Sequence, residues 1–152
     1  MGGMDSSLAI DFKRTDNVKD HFSELDHPSV LLVEDDPFSK KLFQYVIRSI
    51  SKDLEIINTS SFKGVETLFP VLDHIRLAII DINLQSDKNG FDVLEFLESH
   101  YKTFPCILTT GLPDSRLADL QKRSSIIQVP ILRKPFLPLE CKALIEPMLS
   151  RK

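Results

Sequence analysis

Four short apolar runs punctuate the chain, and each ends in residues that carry chemistry. Val30-Leu31-Leu32-Val33 gives way to Glu34-Asp35-Asp36, and Leu77-Ala78-Ile79-Ile80 to Asp81. Ile107-Leu108 ends in Thr109-Thr110-Gly111, and Ile131-Leu132 in Arg133-Lys134-Pro135. Unbroken apolar runs of this length suit strands buried on both faces, as in a parallel sheet covered by helices. The carboxyl ends of such strands share one edge, and open α/β sheets bind ligands outside that edge.

The segments between the runs read as helices. Asp36 before Pro37 is a strong helix start, because Asp accepts orphan N–H groups and Pro is tolerated in the first turn. That helix is predicted to reach about Ser51, with Phe38, Leu42, Tyr45, Val46 and Ile50 turned inward. Leu54–Thr59 reads as a strand, Phe62–Leu72 as a short helix and Leu77–Asp81 as the second strongly buried strand. Gly90 marks the turn into a helix carrying Phe91, Leu94, Leu97 and Tyr101 inward. Pro105 opens the next strand, and Leu112–Lys122 follows as a helix. Ile126–Arg133 is the last strand, and Pro130 within it argues for a sheet edge. Phe136–Leu149 closes as a helix, with Pro138 delaying its regular part and Pro147 set to end it early.

Strand and helix alternate five times, which predicts one doubly wound α/β domain over residues 28–150. Residues 1–27 are polar and mixed in charge, with Val18, Phe22 and Leu25 at helical spacing. They read as an N-terminal extension, either flexible or carrying one short helix.

At 152 residues, 42% hydrophobic and 27% charged, the chain has the profile of one soluble globular domain. A net charge of −3 gives no basic footprint for nucleic acid. No membrane span or signal peptide is evident, and Cys106 and Cys141 lack metal or redox spacing. The expectation is a cytoplasmic protein with two reduced thiols.

Glu34, Asp35 and Asp81 would converge at neighbouring strand ends. Clustered carboxylates repel unless a cation neutralises them, and Mg²⁺ suits such a site because it takes oxygen ligands. A carboxylate can act as a nucleophile toward phosphorus, with the Thr110 hydroxyl and Lys134 ammonium placed to bind phosphoryl oxygens. Taken singly, each residue has a plainer reading: acids before a helix cap it, Thr-Thr-Gly turns, and a lysine is solvated. Their joint occurrence at strand ends, in this order, favours the site.

These pieces resemble the receiver domains of two-component response regulators, the CheY-like family. The resemblance rests on Val30-Leu-Leu-Val-Glu-Asp-Asp-Pro37, Leu77-Ala-Ile-Ile-Asp81, Gly90-Phe-Asp-Val-Leu94, Ile107-Leu-Thr-Thr-Gly111 and Leu132-Arg-Lys-Pro-Phe136. It implies a flavodoxin-like, five-stranded parallel sheet of order 2-1-3-4-5. It also implies Asp81 as phospho-acceptor, and Mg²⁺ held by Asp35, Asp81, the Asn83 backbone carbonyl and, through water, Glu34. Thr110 becomes the switch hydroxyl, Lys134 the phosphate-binding lysine, and Lys134–Pro135 a cis peptide. The implied partners are a histidine kinase or histidine phosphotransfer protein and a downstream protein, with the chain a monomer or weak homodimer. It would assist its own phosphorylation and dephosphorylation without turning over an external substrate.

The chain departs from the family pattern at three places. Gln85 stands where a proline is usual, Gly90 lies one residue further from Asp81, and Ile131 takes the position of the switch aromatic. No attached effector domain is expected after the final helix. A phosphohydrolase of the haloacid-dehalogenase type would carry Asp-x-Asp, whereas Asn83 occupies the +2 position. A nucleotide-binding reading lacks its Gly-rich loop. The remaining alternative is a degenerate receiver that binds proteins without being phosphorylated.

Overall fold

Successive residues of a strand point to opposite faces, and in this chain both faces are apolar. The computed structural model describes residues 9–11, 28–68, 73–84, 88–100, 104–123 and 129–150. Its strands are β1 (Ala9–Asp11), β2 (Ser29–Val33), β3 (Glu55–Thr59), β4 (Ile75–Asp81), β5 (Cys106–Thr110) and β6 (Ile131–Arg133). Its helices are α1 (Pro37–Ile50), α2 (Phe62–Thr67), α3 (Gly90–His100), α4 (Asp114–Arg123) and α5 (Pro138–Leu149). The strands form one parallel sheet in the order β1-β3-β2-β4-β5-β6. Strands β2 to β6 reproduce the expected five-stranded order.

Helices cover both faces. On one side Val30, Leu32, Ile56, Leu77 and Ile79 pack against Phe43, Val46 and Ile47 of α1 and Cys141 and Ile145 of α5. On the other, Leu31, Val33, Ile57, Ala78 and Ile80 pack against Val65 of α2, Phe91, Leu94 and Leu97 of α3, and Leu117 of α4. The alternation of partners along β2 is the physical origin of the three layers. Among the described residues, no helix is long and apolar enough to cross a membrane.

Four expectations need correction. The N-terminal segment contributes β1, a three-residue strand pairing with β3 through Ala9–Ile56, Ile10–Ile57 and Asp11–Asn58, rather than only a flexible tail or helix. The helical spacing of Val18, Phe22 and Leu25, and Tyr101, lie outside the described residues. Helix α1 is rotated from its expected face: Phe38 and Tyr45 are exposed, and Ser39, Phe43, Val46 and Ile47 are buried. The i, i+4, i+7, i+8 set starting at Ser39 gives a continuous stripe, which Phe38 and Tyr45 flank on the outside. Strand β6 is shorter than expected, and Pro130 stands before it, although β6 is the edge strand that Pro130 suggested. Finally, Pro147 does not end α5, which runs to Leu149, because a missing N–H in the last turn removes a single bond.

Candidate functional site

The strand ends bring Glu34, Asp35, Asp81, Thr110 and Lys134 to one edge of the sheet. Glu34 follows β2 and is fully buried, Asp81 is the last residue of β4 and is buried, and Asp35 is half-buried. One carboxylate oxygen from each of Glu34, Asp35 and Asp81 lies within 4.8 Å of the others. The Lys134 ammonium reaches across from the end of β6, 2.8 Å from Glu34 Oε1 and 3.2 Å from Asp81 Oδ2. The Lys134–Pro135 peptide is cis, and the Lys134 N–H donates to the Thr110 carbonyl at 2.7 Å. Phe136, packed 5.0 Å from the Phe43 ring, anchors the turn in the core.

The three consecutive acids divide cleanly. Asp36 caps α1, its Oδ2 accepting from the Ser39 N–H at 2.9 Å and the Ser39 hydroxyl at 2.8 Å. Those bonds hold its carboxyl below the usual carboxylate range. Glu34 points into the site, with its second oxygen accepting the Asp36 N–H at 3.1 Å. Burial pushes the Glu34 carboxyl up to about 7, Lys134 opposes the rise, and Asp81 adds to it. For Lys134, burial acts to lower the pKa, but Glu34 and Asp81 together outweigh it and raise it. Among the described residues, the site brings together three acids and the Lys134 ammonium, which is held firmly charged.

That donor set fits a hard divalent cation: the candidate ligands are carboxylate oxygens, and among the described residues acids outnumber cations there. The backbone of the loop after β4 completes the wall. The Asn83 N–H donates to Asp81 Oδ1 at 3.1 Å, while Ile82 and Leu84 are buried and pin the loop. Gln85 lies outside the described residues. Gly90 closes the far side of the loop. Its N–H donates to the Ile82 carbonyl at 2.9 Å, and a Cβ there would sit 2.4 Å from the Asp81 carbonyl oxygen. Glycine is therefore required for α3 to start directly against the end of β4.

Thr110 is buried at the end of β5, and its hydroxyl accepts the Leu112 N–H at 2.9 Å. Ile131 is half-buried and packs against the core cluster beneath α3 and α4, together with Leu112 and Leu120. Neither Cys106 nor Cys141 belongs to the site. Both are free, and burial pushes each thiol up to about 12.

Two features escaped the sequence reading. Asn89 caps α3, accepting from the N–H groups of Phe91 and Asp92 at 2.8 and 3.1 Å, while Asp92 accepts the Asn89 N–H at 2.8 Å. The signal was present as an Asn followed three residues later by an acid. Arg133 donates to the Leu112 carbonyl at 3.0 Å and pairs with Asp114, tying the β5–α4 loop to β6. An exposed arginine carries no sequence pattern that would reveal this.

This sheet order, with acids at the ends of β2 and β4 and a lysine after β6, is the fold of response regulator receiver domains. The response regulator receiver protein from Sinorhizobium medicae WSM419 matches with a TM-score of 0.67 at 19% identity, over 84% of this chain and 98% of that one. The non-phosphorylated HemR receiver domain from Leptospira biflexa matches with a TM-score of 0.63 at 23% identity, over 82% and 96% of the two chains. A response regulator receiver domain protein from Clostridium thermocellum gives 0.65 at 19% identity, over 82% and 95%. No protein-family model and no curated protein matches the sequence.

Proposed function

We propose that this protein is a phospho-accepting receiver module in a two-component or phosphorelay pathway, with Asp81 as the acceptor. The observation that carries this reading is the Lys134 ammonium, bound to both Glu34 and Asp81 beside Asp35. Such a cluster is arranged for a cation and a phosphoryl group rather than for stability, since buried charge pairs stabilise little.

An Asp81 carboxylate oxygen attacks the phosphorus of a phosphohistidine on a histidine kinase or phosphotransfer protein. The O–P bond forms as the P–N bond breaks, and the electron pair returns to the imidazole nitrogen, which takes up a proton. Asp35, Asp81 and the Asn83 carbonyl would hold Mg²⁺ directly, and Glu34 through water. Bound Mg²⁺ supplies the charge that offsets repulsion between the carboxylates and the phosphoryl oxygens. Lys134 exchanges part of its carboxylate pairing for a phosphoryl oxygen, and the Thr110 hydroxyl donates to another. Water later hydrolyses the acyl phosphate, so the protein turns over only its own modification. The reading places it in the cytoplasm, as a monomer or weak homodimer, with a downstream protein as its target.

Intact-mass analysis after treatment with acetyl phosphate and Mg²⁺ tests this. One phosphoryl adduct is expected on the parent and none on Asp81→Asn. An adduct of equal yield on the variant overturns the assignment. No adduct on the parent favours a scaffold that binds partners without phosphorylation.

A further inference from the structure

Asn58 sits in the middle layer, on β3, and is 1% exposed. Its Nδ2 donates to the Leu32 carbonyl at 2.8 Å and makes a longer 3.4 Å contact with the Glu34 carbonyl. The neighbouring Thr59 carbonyl accepts the Glu34 N–H at 3.0 Å. Residues 58 and 59 of β3 thus grip the backbone of β2 where it releases Glu34 and Asp35. Among the described residues, the Asn58 side-chain oxygen is buried and has no hydrogen-bond partner.

That asymmetry is informative. An amide with one end bonded and the other desolvated is a poor choice for stability, because the lone oxygen loses its water and gains nothing. An apolar side chain of similar size would avoid that loss. What it would not supply is a donor aimed at the strand end that carries the acids.

We propose that Asn58 is a positioning residue for the cation site, its Nδ2 fastening the end of β2 so that the Glu34 and Asp35 carboxylates face Asp81. The inference rests on the reading of this cluster as a Mg²⁺ site. Groups that orient ligands from behind typically change metal affinity by about 10–100-fold when removed. Asn58 grips backbone rather than a ligand atom, so the lower end applies.

The experiment pairs Mg²⁺ titration with thermal melting for the parent and Asn58→Leu, on full-length protein, at a temperature where both are folded. The expected result is a Kd for Mg²⁺ weakened by about tenfold, with a metal-free Tm equal to or above the parent's. This opposite movement is what a merely structural role would not produce. Asn58→Val, a strand-favouring side chain without a donor, should show the same loss of affinity if the leucine does not fold. A lower Tm with unchanged Kd in the folded variant overturns the positioning role and leaves the Mg²⁺ site intact. A parent that binds no Mg²⁺ overturns the site itself, and the positioning role with it.

Discussion

Three adjacent acids of identical charge end in three environments, and the differences are set by one turn of backbone. Asp36 is exposed and serves α1, whereas Glu34 is sealed beneath it beside Lys134 and Asp81. A carboxyl whose folded pKa is raised, here to about 7, still holds a proton in the native state after the unfolded chain has released it. Stability linked to Glu34 is therefore full below the unfolded value near 4.5 and is lost as pH rises to about 7. In chelator-treated protein, Tm of the parent relative to Glu34→Gln is expected to fall between pH 4.5 and 7, and Mg²⁺ should reduce the fall. Parallel Tm profiles for the two proteins would show that Glu34 is not the titrating group. Sequence alone identified the acids as a cluster with a cap among them. It placed Asp36 at the helix start, as found, but could not show that Glu34 is sealed beside Lys134, because that contact joins residues 100 apart in the chain.

At the scale of elements, the alternation of strand and helix was legible because buried parallel strands leave unbroken apolar runs. The face of α1 was not. Phe38 and Tyr45 outweigh Ser39 in hydrophobicity, yet Ser39 lies inward because its hydroxyl and N–H are both taken by Asp36. Capping thus sets the phase of the helix, and the aromatic residues are carried outward. Under the proposed function, a similar local limit applies to how far phosphorylation can reshape the surface. Ile131 is half-buried against the core cluster that contains Leu117, and it is β-branched, so it is stiff about χ1 and has no ring to withdraw or expose. Phosphorylation is therefore expected to produce a modest change, carried by backbone movement at Gly111–Pro113, where Arg133 holds the Leu112 carbonyl. Amide exchange of phosphorylated and free protein should differ mainly across residues 110–114. Strong new protection throughout α4 and β6, with tight phosphorylation-dependent dimerisation, would show that Ile131 does not limit the switch.

For the whole molecule, the site and the additional strand β1 stand on different parts of the sheet. Every candidate site residue lies on or just after β2, β4, β5 or β6, whereas β1, among the described residues, pairs with β3 alone. The pattern of residues 1–27 did not reveal β1, since a three-residue strand is too short for a period and is defined by the edge it meets. Without β1, β3 would present an open edge beside Ile56 and Ile57, and an uncovered edge strand invites pairing with another chain. Deleting residues 1–27 is therefore expected to leave Mg²⁺-dependent acceptance at Asp81 intact while increasing self-association with concentration. Light scattering over a concentration series, run beside intact-mass analysis, separates the two effects. A truncated protein as monodisperse as the full chain would mean that β1 does not protect the edge. Loss of the adduct in a folded, monomeric truncation would instead mean that the edge strand supports the site through β3, the strand that also carries Asn58.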